Sequence, residues 1–155
     1  MDARSFLGQQ LHKITKSKEI DMETWGFFQI LLDHIPQAVF WKDRKSTYLG
    51  CNMAFAKHIN LEAPADIVGK TDFDLFEPED AHLFRGYDKD VIESGQAILD
   101  YEEIVQKPPG GVIWVKASKI PIKNRTGDVQ IILGMYKDIT ERKLIEIALR
   151  KSEAK

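Results

Sequence analysis

The chain has 155 residues, of which 43% are hydrophobic and 10% aromatic, and it carries a formal net charge of −2. That composition supplies enough apolar side chains for one core, which excludes an intrinsically disordered chain. The near-neutral charge gives no electrostatic reason to expect nucleic acid as a partner, and no apolar run approaches the roughly 18 residues that cross a bilayer.

Two helices are predicted before the first strand. Residues 3–18 carry a thin apolar stripe at helical spacing, and residues 22–33 carry a much broader one, with Trp25 and Phe28, that indicates a broad buried face. Pro36 ends the second helix, because the residue before a proline avoids helical geometry.

A hairpin follows the second helix. Residues 38–42 and 47–51 are rich in β-forming side chains and flank a polar turn. The only cysteine, Cys51, ends the second strand, so no intrachain disulfide can form and we expect a reducing, cytoplasmic compartment without direct membrane contact. Asn52 is then positioned to cap a short helix through His58.

The longest predicted helix runs from residue 79 to 94, with Pro78 at its first turn and Gly95 at its end. The last third of the chain is predicted to be β. Its strands are separated by turn residues, which predicts an antiparallel meander over residues 98–106, 112–122 and 129–137.

The pattern becomes helical after the last strand. Asp138 and Glu141 fit a capping box with Asp138 at the N-cap. The helix that follows has a narrow apolar stripe containing Leu144, Ile145 and Leu149, which favours a two-stranded coiled coil. Docking of this helix onto its own domain is the alternative.

The chain resembles a known protein family. The resemblance rests on five short motifs, on the order of the elements and on Gly127 at the final hairpin. The motifs are IPQAVF at residues 35–40, NMAF at 52–55, VGKT at 68–71, DLF at 74–76 and DITER at 138–142. In this order they make residues 24–142 resemble a PAS domain. The DITER motif, at a strand-to-helix junction, is the most specific of them.

The resemblance implies an α+β PAS fold, with a five-stranded antiparallel sheet in the order 2-1-5-4-3 and helices on one face. A ligand pocket lies between sheet and helices in this family. The flanking helices form a homodimer and relay a signal to an output domain in the same polypeptide. The expected divisions are an amphipathic flanking helix at 1–23, the PAS domain at 24–138 and a signalling helix at 139–155.

The function that the resemblance implies is that of a sensory input domain, most often for a histidine kinase and alternatively for a diguanylate cyclase. The residues show no phosphate-binding glycine loop and no Ser-His-Asp arrangement, so we predict no catalytic residue and no enzyme. A ligand-free dimerisation module is a second interpretation, favoured if aromatic side chains fill the pocket. A third is a protein-binding domain whose outer sheet face exposes Trp41 and Val115.

Resemblance to ligand-binding relatives places Phe40 and Lys42, rather than Val39 and Trp41, on the inward face of the first strand. A buried lysine is costly unless it is paired. If Glu102 is the partner of the lysine, the ion pair has a structural role. If the lysine has no protein partner, a small polar or anionic ligand is implied. The full predicted lining is Phe40, Lys42, Phe55, Phe84, Tyr87, Glu102, Trp114, Lys116, Ser118 and Tyr136.

No cofactor is predicted. Haem-binding relatives carry a histidine on the longest helix, where this chain has Phe84 or Arg85, and His82 is turned about 200° around that helix. Flavin-binding relatives carry a reactive cysteine before the same helix, where residues 70–74 have none. The four histidines fall on separate elements, which argues against a metal site.

Asp138, Thr140 and Arg142 are predicted to relay the signal. Asp138 and Thr140 hold the exit helix against the last strand, and Arg142 pairs with Asp138. Tyr136 couples the pocket to this junction, so that pocket occupancy biases the direction of the helix between two states.

Overall fold

The computed structural model describes residues 22–154. The predicted helix at 3–18 lies outside the described residues. The elements are α1 (Met22–Asp33), β1 (Ala38–Asp43), β2 (Tyr48–Cys51), α2 (Met53–His58), a 3₁₀ turn (Pro64–Ile67), α3 (Asp72–Leu75), α4 (Pro78–Ser94), β3 (Ile98–Gln106), β4 (Val112–Lys123), β5 (Val129–Asp138) and α5 (Thr140–Glu153).

The five strands form one antiparallel sheet in the order β2-β1-β5-β4-β3, as predicted. The turn chemistry explains its hairpins. Between β4 and β5, the Asn124 N–H donates to the Asp128 carbonyl, and Gly127 adopts a φ of 89°, which is accessible to a residue without a Cβ.

At the end of α4, Gly95 takes a left-handed conformation with φ 65°, which closes that helix as predicted.

Asn52 ties three elements together behind the first hairpin. Its side-chain oxygen accepts hydrogen bonds from the Phe55 N–H at 3.1 Å and from the Val39 N–H at 2.9 Å. Its amide nitrogen donates to the carbonyls of Leu32 and Gln37, both at 2.9 Å. This fully buried asparagine therefore caps α2, as predicted, and fixes α1 and β1 relative to it.

The inner face of the sheet packs against α2, α3 and α4. Phe40 of β1 lies directly over Gly134 of β5, and a Cβ at that position would clash with the phenylalanine ring. Gly134 is therefore required by the close approach of a side chain. Phe40 also contacts the rings of Tyr48 and Phe55, so the centre of the core is aromatic.

The outer face of the sheet is partly covered by α1. Trp25 meets Trp41 edge-on, with ring centroids 6.0 Å apart, and both tryptophans are buried. Since Val115 is also buried, the expectation that Trp41 and Val115 form an exposed protein-binding face is wrong. The expectation of a broad buried face on α1 is also wrong, because Trp25 is buried whereas most of the apolar side chains are exposed: Met22, Phe27, Phe28, Ile30 and Leu31.

None of the helices within residues 22–154 is both long enough and apolar enough to cross a membrane.

Candidate ligand-binding cavity and exit-helix junction

A small cavity of about 40 Å³ lies between the inner face of the sheet and the helices. A water molecule needs roughly 10–15 Å³ of such space, so the cavity has room for only a few heavy atoms. Aromatic rings make up much of its wall. They belong to Phe40, Tyr48, Phe55, Phe76, Phe84, Tyr101 and Tyr136.

Most of the predicted lining residues lie at this cavity. The structure brings together Phe40, Lys42, Phe55, Phe84, Ser118 and Tyr136 around it. Tyr87 lies beside the wall and does not line it; its ring packs against Tyr101 with centroids 5.3 Å apart.

The predicted facing of β3 and β4 is wrong. Glu102, Trp114 and Lys116 lie on the outer face, away from the cavity, because the register pairs Ala117 with Tyr136 and places the odd-numbered residues of β4 inward. Ser118 belongs to the even-numbered set but also borders the cavity. On β3 the inward residues that line the cavity are Tyr101, Glu103 and Val105.

The alternation on β4 explains the error. The set Trp114, Lys116, Ser118 and Ile120 and the set Val115, Ala117, Lys119 and Pro121 each mix apolar residues with one lysine. Side-chain periodicity therefore does not decide which set faces the core.

Lys42 is buried in an ion-pair network. Its ammonium lies 2.6 Å from an Asp72 carboxylate oxygen and 2.8 Å from Asp88. The other Asp88 oxygen lies 2.5 Å from Lys119, and the Tyr48 hydroxyl donates to Asp72 at 2.5 Å. Two lysines and two aspartates balance in charge, and every carboxylate oxygen of the network has a partner.

This network corrects one expectation. The protein partners of the buried lysine are Asp72 and Asp88 instead of Glu102, and Asp88 is fully buried on α4. The sequence did contain a signal for Asp88. It falls at helical spacing with Phe84 and Val91, which are both buried on the same face of α4.

The network also perturbs proton affinities. Burial alone would raise the pKa of Asp88, but the nearby ammonium groups of Lys42 and Lys119 outweigh it and lower the pKa. Burial, together with repulsion from Lys42, lowers the pKa of Lys119. Burial and the Asp72 carboxylate raise the pKa of Tyr48, so its hydroxyl stays a hydrogen-bond donor.

Glu103 is the acidic residue of the cavity wall outside the network. Its Oε2 atom is shielded from solvent and has no hydrogen-bond partner among the described residues. Burial raises the pKa of this carboxyl to about 7, and Asp80 adds to the effect while Lys119 opposes it. Glu103 is absent from the predicted lining because the opposite face of β3, with Glu102, was expected to lie inward.

His58 and Tyr136 form a hydrogen-bonded pair in the cavity wall. The other ring nitrogen of His58, Nε2, lies 3.0 Å from the Gln106 carbonyl, to which it must donate. Burial lowers the pKa of His58, which favours the neutral ring. In that tautomer Nδ1 accepts the proton of the Tyr136 hydroxyl, so the pair links α2 to β5.

The exit helix is fastened to β4 at its first residue. The Ile139 N–H donates to the Trp114 carbonyl at 2.9 Å, and the Trp114 N–H donates to the Thr140 hydroxyl at 3.0 Å. Asp138 accepts from the Thr140 N–H at 2.9 Å. The N-cap position is occupied by Ile139, so the prediction of Asp138 at the N-cap is wrong by one residue.

Arg142 does not pair with Asp138. Its guanidinium lies 3.2 Å from both carboxylate oxygens of Glu102 on β3, and Lys143 lies 3.1 Å from the same carboxylate. The start of α5 is therefore docked on the outer face of the sheet. Its apolar stripe is left exposed, as shown by Leu144, Ile145 and Leu149 at 57–62% exposure.

His82 and Cys51, which bear on haem and flavin binding, both lie outside the cavity wall. His82 is exposed on α4 and its ring packs against Phe73, with centroids 4.8 Å apart. Cys51 is buried on β2, and burial raises the pKa of its thiol to about 12. Across residues 22–154, no three or more histidine, cysteine or acidic side chains lie together in a way that would hold a metal ion.

Residues 32–144 match the model of the family described as PAS fold. Among curated relatives, the chain is 28% identical to a diguanylate cyclase of Vibrio cholerae over 86% of its length and 42% of that protein. It is also 28% identical to the aerobic respiration control sensor protein ArcB of Escherichia coli, over 82% of its length and 16% of that protein. The chain thus spans less than half the length of these relatives.

Solved structures agree with the family match. The chain is 27% identical to the structure of VqmA bound to DPO, with a TM-score of 0.62 over 76% of this chain and 57% of that one. The PAS domain of Bordetella pertussis BvgS, at 22% identity, shows the same fold with a TM-score of 0.60 over 85% of this chain and 98% of that one. The chain therefore belongs to the PAS fold family, and it is a PAS sensory domain with relatives among sensor kinases and a diguanylate cyclase.

Proposed function

We propose that the chain is an input domain that binds a small molecule in the cavity and transmits its occupancy through β5 to the exit helix. The observation that carries the proposal is the position of Tyr136. It lines the cavity and lies two residues before Asp138, at the strand end where α5 is fastened.

The contacts of Tyr136 and of the exit-helix junction suggest how the signal would travel. A ligand that displaces the Tyr136 ring would break its hydrogen bond to His58 and shift the end of β5. The shift would reach Ile139 and Thr140, which hold α5 against Trp114. The helix would then exchange between a docked and a released position, which is a two-state element that a ligand can bias.

The output domain and the oligomer belong to the same proposal. The kinase and cyclase relatives support a downstream histidine kinase, with a diguanylate cyclase as the alternative. The exposed apolar side chains of α1 and α5, such as Phe27, Ile30 and Leu144, support a homodimer through the flanking helices. Vibrio cholerae VqmA, a structural relative with a TM-score of 0.64, is a dimer.

Native mass spectrometry of the chain purified from cells tests the ligand. We expect an extra mass under gentle conditions that disappears on denaturation. The variant Ala117→Val adds two carbon atoms to the cavity wall and should reduce this extra mass. Ala97→Val, which adds the same atoms at an exposed position, is the matched control. Wild-type protein without any bound molecule would contradict ligand binding.

A ligand-free dimerisation module is the second candidate, and one observation favours it. The cavity of about 40 Å³ is much smaller than the roughly 300 Å³ of an ordinary ligand pocket, because Phe40, Phe55 and Phe84 occupy much of the space. A clean apo dimer in the same spectra would support this function. A clean monomer would contradict dimerisation through the flanking helices.

A further inference from the structure

The Glu103 carboxyl is the acidic group of the cavity wall, and one of its oxygens is shielded from solvent. Glu103 lies on the inward face of β3 between Tyr101 and Val105, which line the same cavity. No hydrogen bond within residues 22–154 reaches its shielded Oε2 atom. Burying a carboxyl oxygen without a partner costs free energy, so this position favours a hydrogen-bond donor that the chain itself does not supply.

The lysines and the histidine of the wall are already paired. The ammonium groups of Lys42 and Lys119 contact Asp72 and Asp88. Both ring nitrogens of His58 are engaged, by Tyr136 and the Gln106 carbonyl. An anionic ligand would have to displace a buried aspartate from a lysine, whereas a cationic ligand would find Glu103 free to accept. The charge pattern therefore selects against anions.

Aromatic rings surround the same region. Phe76 and Phe84 meet edge-on with centroids 5.1 Å apart, and Tyr101 packs against Tyr87. Ring faces attract cations within about 6 Å of their centroids. The protein already uses this attraction nearby, because the Lys42 ammonium lies 4.7 Å from the Tyr48 ring centroid.

We propose that the cavity binds a small organic cation of the guanidinium or alkylammonium class, whose N–H groups donate to Glu103 and whose charge lies against the aromatic wall. The inference rests on the proposed sensory function, since the cation would be the ligand. The volume of about 40 Å³ sets the size, because it admits a few heavy atoms.

Titration of the chain with guanidinium chloride at low millimolar concentration, followed by NMR at constant ionic strength, tests the inference. Methylammonium is a second cation; urea is the neutral planar analogue of guanidinium, and acetate is an anion. We expect saturable shifts at cavity residues for at least one of the two cations and none for urea or acetate. Glu103→Gln should weaken the cation binding at least tenfold.

Glu102→Gln is the matched control, since it removes the neighbouring carboxylate on the opposite face of the same strand. It should change the affinity less than twofold. Both variants are checked for folding by their NMR spectra. Failure of both cations to bind, binding that is equal in Glu103→Gln, or binding of urea or acetate would overturn the cation class.

The failure of this inference is distinguishable from failure of the proposed function. A neutral or anionic molecule found in the native mass spectra would overturn the cation class and leave the sensory function standing. Spectra without any bound molecule, together with no cation binding in the titration, would overturn both.

Discussion

Glu103 makes a specific prediction about stability and pH. The pKa of its carboxyl is about 7 in the folded protein, against an ordinary value of 4.5, mainly because of burial. The folded state therefore binds a proton more tightly than the unfolded state does. The contribution of Glu103 to the free energy of unfolding must therefore fall as pH rises from about 4.5 to 7, and it levels off above the folded pKa.

The size of the effect follows from the same difference. Each tenfold change in proton affinity is worth about 1.4 kcal/mol, which gives an upper bound of roughly 3 kcal/mol. Because Glu103 is only partly buried, solvent screening reduces this to about 1–2 kcal/mol. In Glu103→Gln this loss is absent, so the variant should become more stable than wild type by that amount at pH 8.

Urea denaturation at pH 5, 6, 7 and 8, monitored by tryptophan fluorescence, measures this difference. Glu102→Gln should show little pH dependence relative to wild type over this range, because hydrogen bonding to Lys143 lowers the pKa of Glu102 below its ordinary value and the carboxyl is ionised in both states from pH 5 upward. Its ion pairs stabilise the wild type above the ordinary carboxyl pKa and are lost as pH falls. A difference between wild type and Glu103→Gln that stays constant from pH 5 to 8 would refute the argument from burial.

Three further predictions concern the network and the junction. Lys42→Met leaves buried aspartates with one lysine, so it should lower the free energy of unfolding by about 3–5 kcal/mol, whereas exposed Lys45→Met should have little effect in the same urea titration. Thr140→Val removes the acceptor for the Trp114 N–H and should cost about 1 kcal/mol; unchanged amide exchange at that N–H would contradict the contact. Asp138→Ala, in a fusion of the chain to a histidine kinase core, should leave the domain folded and make autophosphorylation insensitive to the ligand; a normal response would disprove the junction as relay.

The sequence predicted the elements where local chemistry is decisive. The turn residues between the strands, the Asn52 cap and the Gly95 helix end each depend on neighbours in the chain, and the structure confirms them. The strand order came from the resemblance to PAS domains, since pairing between β1 and β5 joins residues about a hundred positions apart. No local pattern specifies such a pairing.

The candidate site was harder to predict because it depends on which way side chains point. On β1 and β5 the inward residues Phe40, Lys42 and Tyr136 were predicted correctly. On β3 and β4 both alternating sets are mixed, and the register that decides between them is set by pairing to β5. The partners of Lys42 come from α3 and α4. The spacing of residues along the sequence gives little indication of such contacts between distant segments.

The arrangement of β3 would give the proposed signal a second route from the cavity to the exit helix. Glu103 faces the cavity, while its neighbour Glu102 faces outward and holds Arg142 and Lys143 at the start of α5. Because successive side chains of a strand point to opposite faces, a ligand that pulls on Glu103 would tilt the peptide that carries Glu102. The start of α5 is thus held by β3 through charge and by β4 through the Trp114 hydrogen bonds, and it continues directly from β5. A ligand that contacts Glu103 and Tyr136 together would act at once on two of these attachments, the one from β3 and the one from β5. In this way a small ligand could bias the position of a helix that it does not contact.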